Sequence, residues 1–413
     1  MLSWDRPEVP RLAGRGVLPR LHDTATGAIR QTEPRLVASV PVASIYVCGI
    51  TPYDATHVGH ASTYLAYDTL IRVWLDAGVE VHYVQNATDV DDPLLVRAIA
   101  TGVDWRELAA GQVELFRHDM QALRVIPPDH YVAVTEMIPQ VSTAVERLLD
   151  AGYAYRVDDD VYFDIAAASA RSPWYLGQES RLDRDEMLKF AAERGGDPER
   201  AGKRDPLDPA LWRAARPGEP SWHSALGAGR PGWHIECSVI AHELLPLPLT
   251  VNGGGIDLAF PHHELTAAHT AALTGHDHAL LYSHAALVGF DGAKMSKSLG
   301  NLVFISQLRD AGIDPRAIRL AILDHHYRTG WEWTDAVLET ATARLAAWSM
   351  WAASPKGSDE TSSDSLVAAL RANLSEDLDT PAALRAIDEQ AATDSGPRTG
   401  ELEAIDALLG IRL

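Results

Sequence analysis

Cysteine is the scarcest chemically versatile residue in this 413-residue chain, which has two, Cys48 and Cys237. So few exclude a disulfide framework and leave the pair for a metal or a structural role. Positive charge is also short: 36 Lys and Arg stand against 57 Asp and Glu, a net charge of -21. That field repels polyanions at long range unless a local basic patch overrides it, which disfavours a tRNA-sized partner. No apolar run is long enough for a membrane span, and Asp5, Glu8 and several prolines interrupt any signal-peptide pattern. A cytoplasmic protein with no membrane partner is expected. The pattern G-x-x-x-x-G-K-[ST] is missing, which argues against a P-loop ATPase. There is no internal repeat and no extended low-complexity tract.

The chain exceeds one average core, so two or three domains are expected. Residues 1–40, rich in Pro, Gly and Arg, read as an N-terminal extension with a short hairpin from Leu21 to Pro34. Ser44 to Cys48 has strand character and runs into Gly49 and Pro52. A helix follows, with Tyr64, Leu65, Ile71, Trp74 and Leu75 near helical spacing and Gly78 as its stop; Val79 to Gln85 then reads as a strand, completing a βαβ unit. Trp105 to Leu123 and Glu136 to Leu149 read as helices, Tyr153 to Ile165 as a hairpin broken by Asp158-Asp159-Asp160, and Ser172 to Arg230 as an insertion or substrate loop. Alternation resumes with helices at Trp233 to Leu244 and His262 to Leu273 and strands at Leu249 to Asn252 and Leu280 to Val288. The expected fold class is α/β: a split Rossmann-like domain over 41–300 with an insertion at about 100–230, a linking region over 301–340 and a small helical bundle over 341–413.

Two segments carry phosphate chemistry. Thr51 to His60 supplies small, polar and turn residues between strand and helix, a junction that aims backbone N–H groups and the positive helix end at an anion. His57 and His60, spaced i, i+3, share one face of the first turn. Alone, such a pair reads more readily as a metal pair or as two solvated histidines. Lys294 and Lys297, with Ser296 and Ser298, follow Asp291-Gly292 in a loop after a strand; alone, a lysine pair reads as solvated surface. Together the two segments are complementary: imidazoles hold an α-phosphate as it becomes five-coordinate, and lysines draw off departing pyrophosphate.

His57-Val58-Gly59-His60 and Lys294-Met295-Ser296-Lys297-Ser298 resemble the paired signatures of class I aminoacyl-tRNA synthetases. Cys48-Gly49-Ile50-Thr51-Pro52-Tyr53-Asp54, Asn86-Ala87-Thr88-Asp89-Val90-Asp91-Asp92, Gly232 to Cys237, Gly253 to Leu258 and Phe260 to Glu264 resemble cysteinyl-tRNA synthetase, a likeness running from about residue 21 to the C-terminal helices. The resemblance implies a class I synthetase-like catalytic domain that takes ATP with Mg²⁺ and L-cysteine, with His57, His60, Lys294 and Lys297 as catalytic groups. It also implies that Thr51, Thr63, Asn86 and Thr88 surround a cysteinyl-adenylate, with Cys48, Gly49, Ile50 and Ala87 beside them. Gly255, Ile256 and Asp257 would lie at its ribose and adenine, and Val288 at the base. Trp233 reads equally as a wall of that pocket or as a core aromatic.

Cys48, Cys237 and His262 are of zinc-ligand type, although each alone reads as a buried small residue or a satisfied histidine. In the resembled family the matching positions bind one zinc, which takes the substrate thiolate. There the pattern continues H-H-E-N-E, with the second glutamate a further ligand. Here that residue is Thr266, a poor zinc ligand, which implies three protein ligands and a fourth position for cysteine sulfur. A Zn–S bond would reject serine, which pocket shape alone separates poorly.

Several departures point to a related branch, the cysteine:glucosaminyl-inositol ligases of mycothiol biosynthesis. They are Ile50-Thr51-Pro52 in place of Pro-Thr-Val, Thr266, the segment Glu193 to Pro198, and a short tail bearing Asp359, Glu360, Asp364, Glu376, Asp377 and Asp379, which opposes a phosphate backbone. The expected reaction activates L-cysteine as its adenylate and transfers it to the amine of glucosaminyl-inositol, forming an amide. Charging of tRNA is the alternative, and a synthetase-like binding module without catalysis comes third. The expected form is a monomer acting on small molecules without tRNA. By their place in the resembled pocket Asp89, Asp91 and Asp92 are candidate bases, although each alone reads more readily as a cap or a solvated acid.

Overall fold

The computed structural model describes residues 1–54, 56–290, 292–295, 301–355, 363–393 and 395–413. After a hairpin of β1 (Arg20–Asp23) and β2 (Ala28–Gln31), a short β3 (Arg35–Val37) turns antiparallel into β4 (Val40–Ile50). From Ala43 to Cys48 every residue of β4 is buried, the mark of a strand covered on both faces by helices. Its alternate side chains feed two cores. Ile45 and Val47 pack with α1 (Val58–Asp76), and Tyr46 and Cys48 face the opposite cluster. The chain returns through β5 (Glu80–Ala87), parallel to β4, as the strand, helix, strand pattern predicts.

Next come α2 (Asp92–Thr101), α3 (Trp105–Ala122) and β6 (His130–Ala133), which adds parallel to β5. The segment expected to open an insertion near residue 100 therefore builds the central sheet instead. β6 was missed because its four residues carry no alternation long enough to mark a strand. Helix α4 (Ile138–Asp150) then leads to a separate antiparallel sheet of β7 (Ala154–Val157), β8 (Asp160–Phe163), β9 (Ala210–Ala214) and β10 (Gly229–Pro231), in the order β10-β9-β8-β7. Between β8 and β9 lie α5 (Ile165–Arg171) and α6 (Arg184–Glu193), so the stretch read as an insertion or substrate loop holds α6, β9 and most of β10.

The second half of the sheet follows: α7 (Trp233–Leu244), β11 (Val251–Gly255) parallel to β4, α8 (Glu264–Thr274), and β12 (Tyr282–Ala285) parallel to β11. The path β12-β11-β4-β5-β6 reverses direction between β4 and β11, and the carboxyl ends beside such a reversal open a crevice. A small sheet joins β13 (Val288–Phe290), β14 (Ala293–Lys294) and β15 (Trp331–Glu332). The remaining helices are α9 (Ile305–Asp310), α10 (Pro315–Leu323), α11 (Asp335–Ala352), α12 (Ser363–Ser375), α13 (Thr380–Ala391) and α14 (Glu401–Leu409). Helix α11 runs through residue 340, so no boundary falls there. Among the described residues no helix is long and apolar enough to cross a membrane.

A buried ionic cluster fastens these helices to the sheet. Asp68 on α1 accepts from Arg72 Nε at 2.8 Å, from Arg319 Nη2 of α10, and through its other oxygen from the backbone N–H of Ile126 at 2.8 Å. The two guanidinium groups also reach the carbonyl oxygens of Asp406 (3.0 Å, from Arg72) and Leu409 (2.6 Å, from Arg319), which closes the C-terminal end of α14. Burial opposes the Asp68 charge, but Arg72 and Arg319 outweigh it and hold the carboxyl below its usual value. This contribution is therefore present above the ordinary carboxylate range and is lost as pH falls through the lowered value. Asp68→Asn leaves two guanidinium groups buried without a counter-charge, and urea denaturation is expected to show a loss of about 3–5 kcal/mol.

Candidate active site

Helix α1 starts at the carboxyl edge of the sheet, and His57 is its N-cap: Nδ1 accepts the Gly59 N–H at 3.1 Å. The His57 and His60 rings stack with centroids 3.8 Å apart, so the i, i+3 spacing yields a paired imidazole face at the positive end of α1. Residues beyond the lysine loop are stitched to this turn. Val58 N–H donates to Val303 O at 2.9 Å, Ile305 N–H donates to Thr56 O at 3.0 Å, and Arg309 holds Asp119 of α3 at 2.7 Å. Lys294 is placed by its backbone on β14, opposite Gly289, and Met295 lies buried on the cavity wall. Lys297, with Ser296 and Ser298, lies outside the described residues.

A cavity of about 870 Å³ opens over the sheet reversal. His57, His60, Cys48, Gly49, Ile50, Thr51, Thr63, Trp233, Gly255, Asp257 and Val288 all line it. Asn86, Ala87, Thr88 and Ile256 do not. Asn86 is buried and turned to the backbone: its Oδ1 accepts the Gly49 N–H at 2.9 Å and its Nδ2 donates to Thr88 Oγ1 at 3.1 Å. These residues shape the floor beneath Gly49, and Ile256 is exposed outside the wall. Asp91 and Asp92, singled out in the sequence, line the cavity, whereas sequence reasoning missed Pro93 and Val96 of α2 together with Arg213, Arg230, Lys203 and Asp208. The segment Glu193 to Asp197, singled out by its pattern, lines the cavity as well. There Arg194 Nη1 donates to the carbonyl oxygens of Asp257, at 2.7 Å, and Phe260.

Cys48 at the end of β4, Cys237 on α7 and His262 before α8 converge, all buried, with one ligand-type atom from each within 4.8 Å of the others. Two sulfurs and one imidazole nitrogen at this spacing suit a tetrahedral ion that keeps one outer position. Burial pushes the Cys237 thiol up, yet the hydrogen bond from Cys48 and the proximity of His262 outweigh it and hold the thiol well below its usual value. The pair therefore offers a thiolate, the form that binds metal. Thr266 takes no part: its hydroxyl donates to His234 O at 3.3 Å.

More imidazoles back the cluster than its spacing suggested. His263 Nε2 meets Cys48 Sγ at 3.2 Å, and its Nδ1 meets His284 Nε2 at 2.7 Å. His234 Nδ1 meets His262 Nδ1 at 3.1 Å, and His262 Nε2 meets Cys237 Sγ at 3.2 Å. Burial holds His234 and His263 far below the usual histidine range and His284 at about 4, so all three are neutral at physiological pH. Trp233 stacks on His262 with centroids 4.3 Å apart while also lining the cavity, so it is both a wall and a packing partner of the cluster.

Comparison with known proteins places this arrangement. Residues 37–343 match the family model described as the class I tRNA synthetase (C) catalytic domain. The fold is shared with Mycobacterium tuberculosis methionyl-tRNA synthetase in complex with methionyl-adenylate: TM-score 0.59 and 15% identity, over 90% of this chain and 88% of that one. An Agrobacterium radiobacter K84 LeuRS shares it too, with TM-score 0.58 and 12% identity over 91% and 83% of the two chains. These define a class I synthetase-like α/β protein. Within that class the chain belongs to the family of the L-cysteine:1D-myo-inositol 2-amino-2-deoxy-alpha-D-glucopyranoside ligases. It is 58% identical to the Clavibacter michiganensis subsp. michiganensis ligase over 424 residues, covering 100% of this chain and 99% of that protein. To the Kocuria rhizophila ligase it is 54% identical over 445 residues, with both chains fully covered.

One backbone contact under the cavity is sharply testable. A Cβ on Gly49 would lie 1.5 Å from Asn86 O, so no side chain fits between β4 and β5 there. Gly49→Ala is expected to lower stability by about 1–3 kcal/mol as the strands shift, read by thermal unfolding.

Proposed function

We propose that the chain activates L-cysteine with ATP to give cysteinyl-adenylate and pyrophosphate. It then transfers the cysteinyl group to the amine of 1D-myo-inositol 2-amino-2-deoxy-α-D-glucopyranoside, releasing AMP. The observation that carries the reading is that the cavity lined by His57 and His60 is also lined by Cys48, a member of the Cys48, Cys237, His262 cluster. Full-length identity to the named ligases supports the amine acceptor over tRNA, and the net charge of -21 agrees with it.

In the first step the cysteine carboxylate attacks the α-phosphorus. Negative charge grows on the phosphate oxygens, and the positive end of α1 with the His57 and His60 imidazoles, which line the cavity, is assigned to that charge. Lys294 and Lys297 are assigned to the leaving pyrophosphate. Thr51 and Thr63 offer hydroxyls along the cavity wall, and Gly255 with Asp257 forms the wall assigned to the ribose. Cys48, Cys237 and His262 would hold zinc, which when bound supplies a thiolate-selective Lewis acid for the substrate sulfur. Because Thr266 is engaged by His234 O, the cluster keeps three protein donors and a position for that sulfur. Neutral His263 and His234 orient their partners without adding positive charge beside the two sulfurs. In the second step the acceptor amine, as its free base, attacks the mixed anhydride, and its position in the site supplies much of the rate.

Cys237→Ser is expected to lower bound zinc, measured by metal analysis, together with cysteine-dependent ATP–pyrophosphate exchange; full exchange without zinc would refute the sulfur-binding assignment. Lys297→Ala should slow adenylate formation by on the order of 10²-fold, as loss of a charge stabiliser does, with a much smaller change in cysteine affinity. Equal losses in both would remove the pyrophosphate role. Offering glucosaminyl-inositol and tRNA together to the purified enzyme, and following which one consumes cysteine, tests the acceptor.

A further inference from the structure

Three aspartates follow β5, and the structure gives each a different setting. Asp89 is spent on Thr135, accepting its N–H at 3.0 Å and its hydroxyl at 2.5 Å, and is not on the cavity wall. Asp92 lines the cavity, but Arg213 holds one of its oxygens at 3.1 Å and Arg230 the other, with Arg230 also reaching Glu219. Asp91 lines the cavity too. Its Oδ1 caps α2 by accepting the Asp92 N–H at 2.8 Å, and among the described residues its other oxygen accepts no hydrogen bond.

This wall, formed by the first turn of α2 with β9 and β10, is used neither by the phosphate apparatus nor by the sulfur cluster. A polyhydroxylated amine needs carboxylates for its O–H and N–H protons, fixed donors for its oxygens and an apolar patch for its ring C–H groups. Asp91 and Asp92, Arg213 and Arg230, and Pro93 with Val96 supply those three in turn. We infer that this wall is the binding site of the amine-bearing polyol and that Asp91 takes the amine proton as the amide forms. The inference rests on the ligase reading above and assigns the site of its second substrate.

The step balances without another reactant. The amine lone pair forms the N–C bond to the cysteinyl carbonyl, and the C–O bond to phosphate breaks with its electron pair leaving on AMP. One amine proton passes to Asp91 and on to solvent, and the other stays on the amide nitrogen. Burial raises the Asp91 carboxyl above its usual value against the lowering pull of the Asp92 N–H and the two arginines, which makes it a better proton acceptor than a solvated carboxylate.

Asp91→Asn separates this role from helix capping, because asparagine caps as well as aspartate but takes no proton. With the zinc-loaded enzyme, labelled cysteine and glucosaminyl-inositol, amide formation should fall on the order of 10²-fold further than cysteine-dependent ATP–pyrophosphate exchange. A loss in transfer no larger than the loss in exchange overturns the assignment of Asp91. Asp92→Asn, which loosens Arg213 and Arg230, should raise KM for glucosaminyl-inositol about tenfold, the usual cost of weakening one charge-assisted contact, with a smaller effect on kcat. An unchanged acceptor KM overturns the assignment of the wall. Failure of the unsubstituted zinc-loaded enzyme to catalyse exchange would instead bring down the activation reading, and this inference with it.

Discussion

The arrangement of the molecule turns on one buried carboxylate. Asp68 lies under two guanidinium groups, and that cluster would carry excess positive charge if it stood alone. The surplus is met by backbone carbonyls, those of Asp406 and Leu409 at the end of α14 and that of Leu123 at the end of α3, the last held by Arg319 at 2.7 Å. Charge balance in a low-dielectric interior thus requires helix ends distant in sequence to converge on α1. Since α1 also carries His57 at its start, the same cluster helps fix the direction in which the His57 turn faces the cavity.

The site is assembled where the two halves of the sheet meet. β4 contributes Cys48 and the Gly49 turn, β11 contributes Gly255, and the helix entries after β10 and before α8 bring Cys237 and His262 to the same sulfur. The candidate chemistry divides between two places: the positive end of α1 with its paired imidazoles, and the buried cluster of two sulfurs and an imidazole. Burial keeps the supporting histidines neutral, so they can orient ligands without competing electrostatically for an ion.

What could be read from the sequence followed the length of the local signal. β4, α1 and β5 are long, strongly patterned and bounded by turn residues, and the two cysteines with His262 stood out because the chain has so little cysteine. The parts that escaped were short or satisfied by distant partners. β9 and β10 span five and three residues, so Arg213 and Arg230 read as loop charges until their common partner Asp92 is seen. Asn86 carries a pocket-type motif, yet its amide is consumed by Gly49 and Thr88, a fact of geometry that no spacing encodes. The extra imidazole contacts of His284 and His234 likewise depend on sheet and helix packing across the reversal.

The backbone bonds between Val58 and Val303, and between Ile305 and Thr56, have a mechanical consequence. They tie the segment 303–305 to the start of α1, so displacing either strains the other. On the other side, Lys294 is held by its backbone in β14. A displacement at 303–305 therefore reaches the stacked His57 and His60 imidazoles through two backbone bonds.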